Sequence, residues 1–148
     1  MREGRRQVPL SLGDCSTLLP DRRLNSNVVD AYTELLSLNT STTAFAPARV
    51  AAWWGGGGSR RTARMLAGLM IAGKQRLFLP WHVPGHWMAF LVDFGASTVW
   101  HYSFEKVAHR KLVDFAEVPA ARRVQKLLHV MSDYDLTLRR RWSFRWGT

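Results

Sequence analysis

His86 has the setting in this sequence that best suits acid–base chemistry. It directly precedes the apolar run Trp87–Val92, which predicts a strand covered on both faces. A histidine at the mouth of such a strand is held rigidly while its ring stays near the sheet edge, as a general base requires. A purely structural histidine at a strand start is the alternative, so His86 is a candidate base.

A zinc site is the other chemistry that this segment suggests. His82 lies four residues before His86, the spacing of paired zinc ligands on a helix. Pro84 and Gly85 lie between the two histidines and exclude that helix. No pattern of Asp, Glu or Cys completes a site, so we expect no metal and no other cofactor.

The chain contains one cysteine, Cys15, and none follows His86. A single cysteine excludes an internal disulfide and a zinc site built on several thiolates. A papain-type nucleophile begins a long helix, whereas Pro20 would end one here after a single turn. We therefore expect Cys15 to be a buried structural thiol.

Two helices are predicted in the first half of the chain. Apolar residues at helical spacing predict a helix over 26–38, with Asn25 or Ser26 placed to cap it. A second helix is predicted over 60–72. Its expected inward residues are Leu66, Leu69 and Met70.

The middle of the chain predicts a sheet. Residues 76–80 form a short apolar strand ended by proline, and residues 87–92 form a hairpin with 98–102. Helices are then predicted over 110–115 and 120–131. The order predicts an α+β domain, with helices packed on a small central sheet. Residues 139–146 show no clear closing element.

Length and composition fit one domain. The 148 residues are 47% hydrophobic and 22% charged, which supplies a core and argues against disorder. We expect a loose basic terminus over 1–9 and one domain over 10–148. No apolar stretch reaches the roughly 18–20 residues of a membrane span, and the start lacks the apolar segment of a secretory signal. We expect an intracellular protein without a membrane segment, with nucleus and cytoplasm both open.

The formal net charge of +10 would attract acidic partners. Near the end of the chain, arginines alternate with aromatic residues over 139–146, and this pattern suggests nucleic-acid binding through charge and stacking. A solvated basic surface is the alternative. The residues of the nucleic-acid hypothesis are Arg139, Arg140, Arg141, Trp142, Arg145 and Trp146.

Residues 79–93 and 98–102 resemble the central hairpin of the SUMO and ubiquitin-like-protein cysteine proteases, the Ulp-like family. The shared pattern is an apolar residue, Pro, any residue and His, then His-Trp, an apolar strand, Asp, a turn and an aromatic strand. Residues 86–90 are also similar to the corresponding strand of adenovirus protease, a relative in the same clan.

A second motif lies upstream, in the order and at the distance that the family shows. Residues 17–20 resemble its threonine-leucine-leucine-proline turn, and residues 23–26 resemble its Trp-Leu-Asn-Asp motif with Arg23 and Ser26 as departures. Residues 28–32 resemble the helix that follows. The resemblance covers about residues 10–135 and implies a papain-like or adenain-like cysteine protease fold that is incomplete.

The resemblance implies roles for three residues of the hairpin. His86 takes the position of the catalytic base, and Ser103 takes that of the acidic third member, seventeen residues later. Serine can accept from an imidazole N–H but brings no charge. Glu105, two residues further on, has the same facing in an extended strand and is the alternative partner.

The resemblance also implies a binding site for a ubiquitin-like partner of the SUMO type or another protein substrate. Trp87 would form one wall of a narrow channel for the extended Gly-Gly tail, next to Arg23 and Asn25. An aromatic residue at a strand start that only fills the core is the alternative for Trp87.

The implied activity is cysteine-type peptidase action on isopeptide or peptide bonds at that tail. Because the family's Gln and nucleophilic Cys have no counterpart in this sequence, we expect a truncated or degenerate protease without activity of its own. A non-catalytic module that binds a ubiquitin-like protein is the second hypothesis, and a basic nucleic-acid-binding protein is the third.

Overall fold

The computed structural model describes residues 9–19, 22–55, 59–70, 73–83, 86–103 and 118–147. In these ranges the helices are α1 (Leu12–Ser16), α2 (Ser26–Ser37), α3 (Val50–Gly55), α4 (Ser59–Met70) and α5 (Pro119–Met131), and a 3-10 turn spans Leu136–Leu138. The strands are β1 (Thr43–Phe45), β2 (Arg76–Val83), β3 (His86–Asp93), β4 (Thr98–Tyr102) and β5 (Ser143–Trp146).

The five strands form one mixed sheet in the order β1-β2-β3-β4-β5. Strands β2, β3 and β4 are antiparallel neighbours, whereas β1 pairs parallel with β2 and β5 pairs parallel with β4. The central strand β3 therefore has a partner strand on each side. Its apolar sequence predicted a strand covered on both faces, but only Phe90 and Val92 are buried, and the residues of the opposite face are half-buried. The predicted hairpin of residues 87–92 with 98–102 is confirmed.

One face of the sheet carries the hydrophobic core. Leu79, Phe90 and Val99 come from the three central strands and are fully buried there. Helices α4 and α5 cover this face, with Leu66 of α4 and Leu127 of α5 also fully buried. The other face is crossed by α2, and a groove remains between that helix and the strands.

The three longer helices confirm the predicted helical periodicity. α2 begins after Asn25, whose side-chain Oδ1 accepts from the Val28 N–H at 3.0 Å, as the predicted cap requires. In α4, Leu66 and Met70 are buried as expected, but the inward assignment of Leu69 is wrong because 37% of that residue is exposed. A residue at the border of an amphipathic stripe is the one that periodicity assigns least well.

Strand β2 does not end at Pro80, as the sequence predicted, but continues to Val83. The carbonyl of Phe78 accepts from the Ala46 N–H at 2.9 Å, so the backbone groups of residue 78 face the β1 side. Residue 80 has the same facing, since orientation repeats every two residues. A backbone N–H at residue 80 would therefore point past the end of β1. Because no partner lies there, the N–H that proline lacks breaks no ladder hydrogen bond.

Five short elements have no counterpart in the sequence prediction, namely α1, β1, α3, the 3-10 turn and β5. Residues 139–146 are predicted to lack a closing element. That last expectation is wrong, because β5 pairs with β4 through Val99↔Phe144 and His101↔Trp146. Strands of three or four residues depend on a distant partner, and periodicity within the segment does not reveal that partner.

The predicted helix over 110–115, Glu105 and most of the predicted loose terminus lie outside the described residues. None of the helices in the described ranges combines the length and the apolar character needed to cross a bilayer.

Candidate active site

His86 is the first residue of β3 and pairs with Val83 of β2. Its side chain has the same facing as Phe90, since facing alternates along a strand, so it belongs to the side of the sheet that α4 and α5 cover. The residue is only partly buried, because the sheet ends there. The ring therefore lies at the lip of the hairpin, rigidly based and still accessible, as the general-base hypothesis requires.

Ser103 is the hydrogen-bonding partner of His86 in the structure. Its Oγ lies 3.0 Å from the imidazole Nε2, although the two residues are 17 apart in sequence. The antiparallel register brings them together, because Ala89 pairs with Tyr102 and Ser103 follows directly. Ser103 is buried, so its hydroxyl contacts the inner side of the imidazole ring and can orient it without adding a charge. The roles of both residues in catalysis stay predictions, as does the role of Glu105.

Trp87 points to the opposite face of β3. Its indole Nε1–H donates to the backbone carbonyl of Leu24 at 2.7 Å, which ties the strand to the segment before α2. Across the hairpin its ring tilts against His82, with ring centroids 4.5 Å apart. His82 therefore makes an aromatic contact, and among the described residues no cluster of three His, Cys, Asp or Glu side chains could hold a metal ion.

Asn25 is fully engaged in local structure. Besides capping α2, its Nδ2 donates to Asp14 Oδ1 at 2.7 Å, and this bond joins α1 to α2. The backbone N–H of Ser11 and then the amides of Asn25 and Asn27 lower the pKa of Asp14 below its ordinary value of 3.8. Arg23 is exposed beside them. Substrate contacts by Arg23 and Asn25 stay predictions.

Asp14 was missed, although the sequence contained a signal for it. Ser11 and Asp14 have the three-residue spacing of a capping box, and the structure forms both of its hydrogen bonds. The expectation of a buried thiol at Cys15 is wrong, since the residue is exposed. The reason is that α1 is a five-residue surface helix with no buried residue.

An apolar groove of about 440 Å³ runs along the Trp87 side of β3. We call it the α2 groove, because Val28, Val29 and Tyr32 of α2 form one wall and Phe78, Ala89 and Tyr102 of the sheet form the other. Trp87 and Leu24 close the end nearest His86. The groove was not predicted, since each residue lining it also fits an ordinary amphipathic element.

The aromatic residues near the end of the chain are partly buried and contact rings of the fold. Trp146 stacks on His101 at 4.7 Å, and Trp142 meets Phe94 edge-on at 5.5 Å. Each of these tryptophans therefore makes a ring contact within the fold, and their role in nucleic-acid binding stays a prediction. Because β5 runs parallel to β4, it leads the chain toward the Ser103 end of the sheet, where the Gly147 N–H donates to the His101 carbonyl at 2.8 Å.

No family model matches the chain, and no curated protein matches it by sequence. Solved structures do. The SUMO protease Ulp1 with its catalytic cysteine oxidised to a sulfenic or a sulfinic acid superposes with TM-scores of 0.77 and 0.76, at 15% and 16% identity. The chain has a Ulp1-like fold. The predicted α+β protease fold is thereby confirmed.

The Ulp1-like architecture extends over nearly the whole chain. Each of those two superpositions covers 97% of this chain and 64% of the Ulp1 chain. The C-terminal Ulp1 protease domain in complex with Smt3, the yeast ortholog of SUMO, matches with a TM-score of 0.71 at 16% identity and covers 97% and 63%. The chain therefore spans less than two-thirds of the length of the Ulp1 structures that it matches.

Proposed function

We propose that this chain supplies the histidine side of a Ulp-type cysteine peptidase site and binds the extended tail of a ubiquitin-like protein. The observation that carries the proposal is the 3.0 Å contact of His86 Nε2 with Ser103 Oγ at the open end of the hairpin. A general base needs a fixed ring with one nitrogen oriented by a neighbour, and this pair has that arrangement.

The chemistry of this pair differs from that of an imidazole–carboxylate pair. A carboxylate would orient the ring and also stabilise the imidazolium that forms when a thiol loses its proton, whereas the Ser103 hydroxyl supplies orientation alone. The sequence has one thiol, Cys15, and within the described residues no hydrogen bond joins it to His86. We therefore propose that the chain binds the tail without cleaving it by itself.

Binding is proposed to involve Trp87 and the end of the α2 groove. Trp87 is adjacent to His86, partly exposed and anchored through its indole to the Leu24 carbonyl. Because His86 and Trp87 face opposite sides of β3, an extended peptide that crosses the Trp87 ring would have to pass the end of the strand to bring its terminal residues to the imidazole. The complex of the Ulp1 domain with Smt3 supports a ubiquitin-like protein as the partner.

The binding experiment is a fluorescence titration of a labelled SUMO-type protein with the purified chain. We expect saturable binding that Trp87→Ala weakens by about tenfold, because an aromatic anchor next to the tail is removed. Trp87→Phe keeps a ring and should lose less. The matched control is Trp53→Ala, since Trp53 lies on α3 and is 40% exposed. Absence of saturation, or equal losses at both tryptophans, would contradict the proposed binding.

Hydrolysis is measured separately with a fluorogenic ubiquitin-like C-terminal substrate. We expect the fluorophore to be released no faster than with the His86→Ala variant, because the thiol of Cys15 is not hydrogen-bonded to the imidazole. Turnover that His86→Ala abolishes and Cys15→Ala leaves intact would show a nucleophile other than the thiol and overturn the proposal.

A further inference from the structure

A concave surface lined by basic residues lies between α5 and the segment that follows it, and it includes none of the residues around His86. It is a groove of about 650 Å³. We call it the basic groove and define it by Arg122, Lys126 and His129 of α5 and by Arg139, Arg140 and Arg141. The three residues of α5 follow each other at helical spacing, so one face of the helix presents them together.

The positive charge of the basic groove is not neutralised within the described part of the chain. None of the residues lining it is acidic. Asp133 lies 3.9 Å from Arg139, and both side chains are largely exposed, so this ion pair is weak. Arg122, Lys126 and Arg141 have no ion-pair partner among the described residues, and all three are exposed.

The side chain of Arg140 is held in place by hydrogen bonds within the fold. Its guanidinium donates to the carbonyls of Thr137 and Phe94, at 2.6 Å each, and to the Ser97 hydroxyl. It also lies 5.4 Å from the centre of the Trp142 ring. These contacts hold the backbone on both sides of Arg140. The backbone of Arg139 and Arg141 is therefore in place before a ligand binds. A ligand that binds them therefore needs little ordering of the backbone.

The lining favours a phosphate backbone over an acidic protein. Protein interfaces have an apolar or aromatic centre that becomes buried. In the basic groove, Leu138 is already buried at 2% exposure, and the half-buried Trp142 ring meets Phe94 edge-on and lies 5.4 Å from the Arg140 guanidinium. A lining made mainly of cations suits phosphates, because affinity for nucleic acid comes mainly from counterion release.

We propose that the basic groove binds the phosphodiester backbone of nucleic acid without reading its bases. The site differs from the one suggested by the arginine–tryptophan pattern, since Arg122 and Lys126 of α5 contribute and the tryptophan rings do not stack on bases. It is independent of the proposed peptidase function and uses none of the residues around His86.

The experiment is fluorescence anisotropy of the full chain with a short labelled oligonucleotide, single-stranded or duplex, across a salt series. The test variant is Arg122→Ala with Lys126→Ala. Its expected affinity is about tenfold lower, and its slope of log affinity against log salt is smaller by about two, because two phosphate contacts are lost. Both side chains are exposed, so the unfolding midpoint of the variant should equal that of the parent chain.

The matched control is Arg60→Ala with Arg64→Ala, which removes the same charge at the same helical spacing from exposed positions of α4. We expect this pair to change the affinity less than twofold. Equal weakening by both pairs would show a diffuse field and overturn the proposal. Binding that is insensitive to salt, or displacement by poly-glutamate as effective as by unlabelled nucleic acid, would also overturn it.

Discussion

Helices α4 and α5 close one face of the sheet with apolar side chains, whereas α2 crosses the other face and buries only Val28, Asp30 and Thr33. On the closed face, Leu127 of α5 is fully buried. On the open face, Tyr32 and Leu35 of α2 are more than half exposed. The buried polar contact there is Asp30, whose Oδ1 accepts from the Ala48 N–H at 2.7 Å.

Under the proposed function, this difference separates two tasks at the end of one strand. His86 points to the closed face, where the Ser103 hydroxyl contacts its ring. Its neighbour Trp87 points to the open face, where the described residues leave the apolar α2 groove between helix and sheet. A side chain that does chemistry needs a rigid base, whereas a surface that accepts a partner needs accessible apolar area. The alternation of β3 provides both within two residues.

The largest expected effect tests the closed face. Leu127→Ala should lower the free energy of unfolding by about 2–5 kcal/mol, because it removes a fully buried side chain and leaves a cavity. Leu35→Ala on α2 is the matched control, with 61% of the residue exposed, and should cost less than about 0.5 kcal/mol. Urea unfolding measures both, and similar losses would show that the two faces do not differ.

The attachment of α2 gives the second effect. Asp30→Ala should cost about 1–3 kcal/mol, since it leaves the buried Ala48 N–H without its acceptor. Asp30→Asn keeps an oxygen at the same place and should retain most of the stability. Hydrogen exchange of the α2 amides measures how readily the helix detaches. Glu34→Ala, one turn later, is the control, and faster exchange in that variant than in Asp30→Ala would argue against the role of Asp30.

Two glycines test the contact between Gly147, which follows β5, and the ring of Tyr102 on the open face of the sheet. A Cβ at Gly147 would overlap the ring of Tyr102, so Gly147→Ala should cost about 1 kcal/mol, limited because the half-exposed ring is able to turn aside. Gly68→Ala in α4 meets no atom within 4 Å and should stabilise by about 0.5–1 kcal/mol. Thermal unfolding gives both signs. A stabilising Gly147→Ala would contradict this contact.

The smallest effect concerns the junction of α1 with α2. The pKa of Asp14 is lowered, chiefly by the Ser11 backbone N–H and then by the Asn25 and Asn27 amides. A group with a lowered pKa in the folded state stabilises fully above its ordinary value of 3.8, and this contribution is lost as the pH falls through the lowered value. We expect the side-chain amide NMR signals of Asn25 to shift over that acid range. They should not shift in the same way in Asp14→Asn.

Much of the candidate site was predictable because its signals are local. The buried apolar run, the turn after it and the aromatic strand predict the β3–β4 hairpin, whereas the pairing of His86 with Ser103 was implied only by the family resemblance. The cap at Asn25 was predictable for the same reason, since its bond spans three residues. The bond from Trp87 to the Leu24 carbonyl spans 63 residues, and no local pattern announces it.

The sequence by itself determined α2, α4, α5 and the central hairpin, because helical and strand periodicity appear within single segments. Only the tertiary structure decided that residues 43–45 and 143–146 become strands, since each is short and pairs parallel with a distant strand. It also decided that Pro80 lies within β2 and that Cys15 is exposed. These outcomes depend on which neighbour lies beside a residue, and that neighbour is set by the packing of the whole chain.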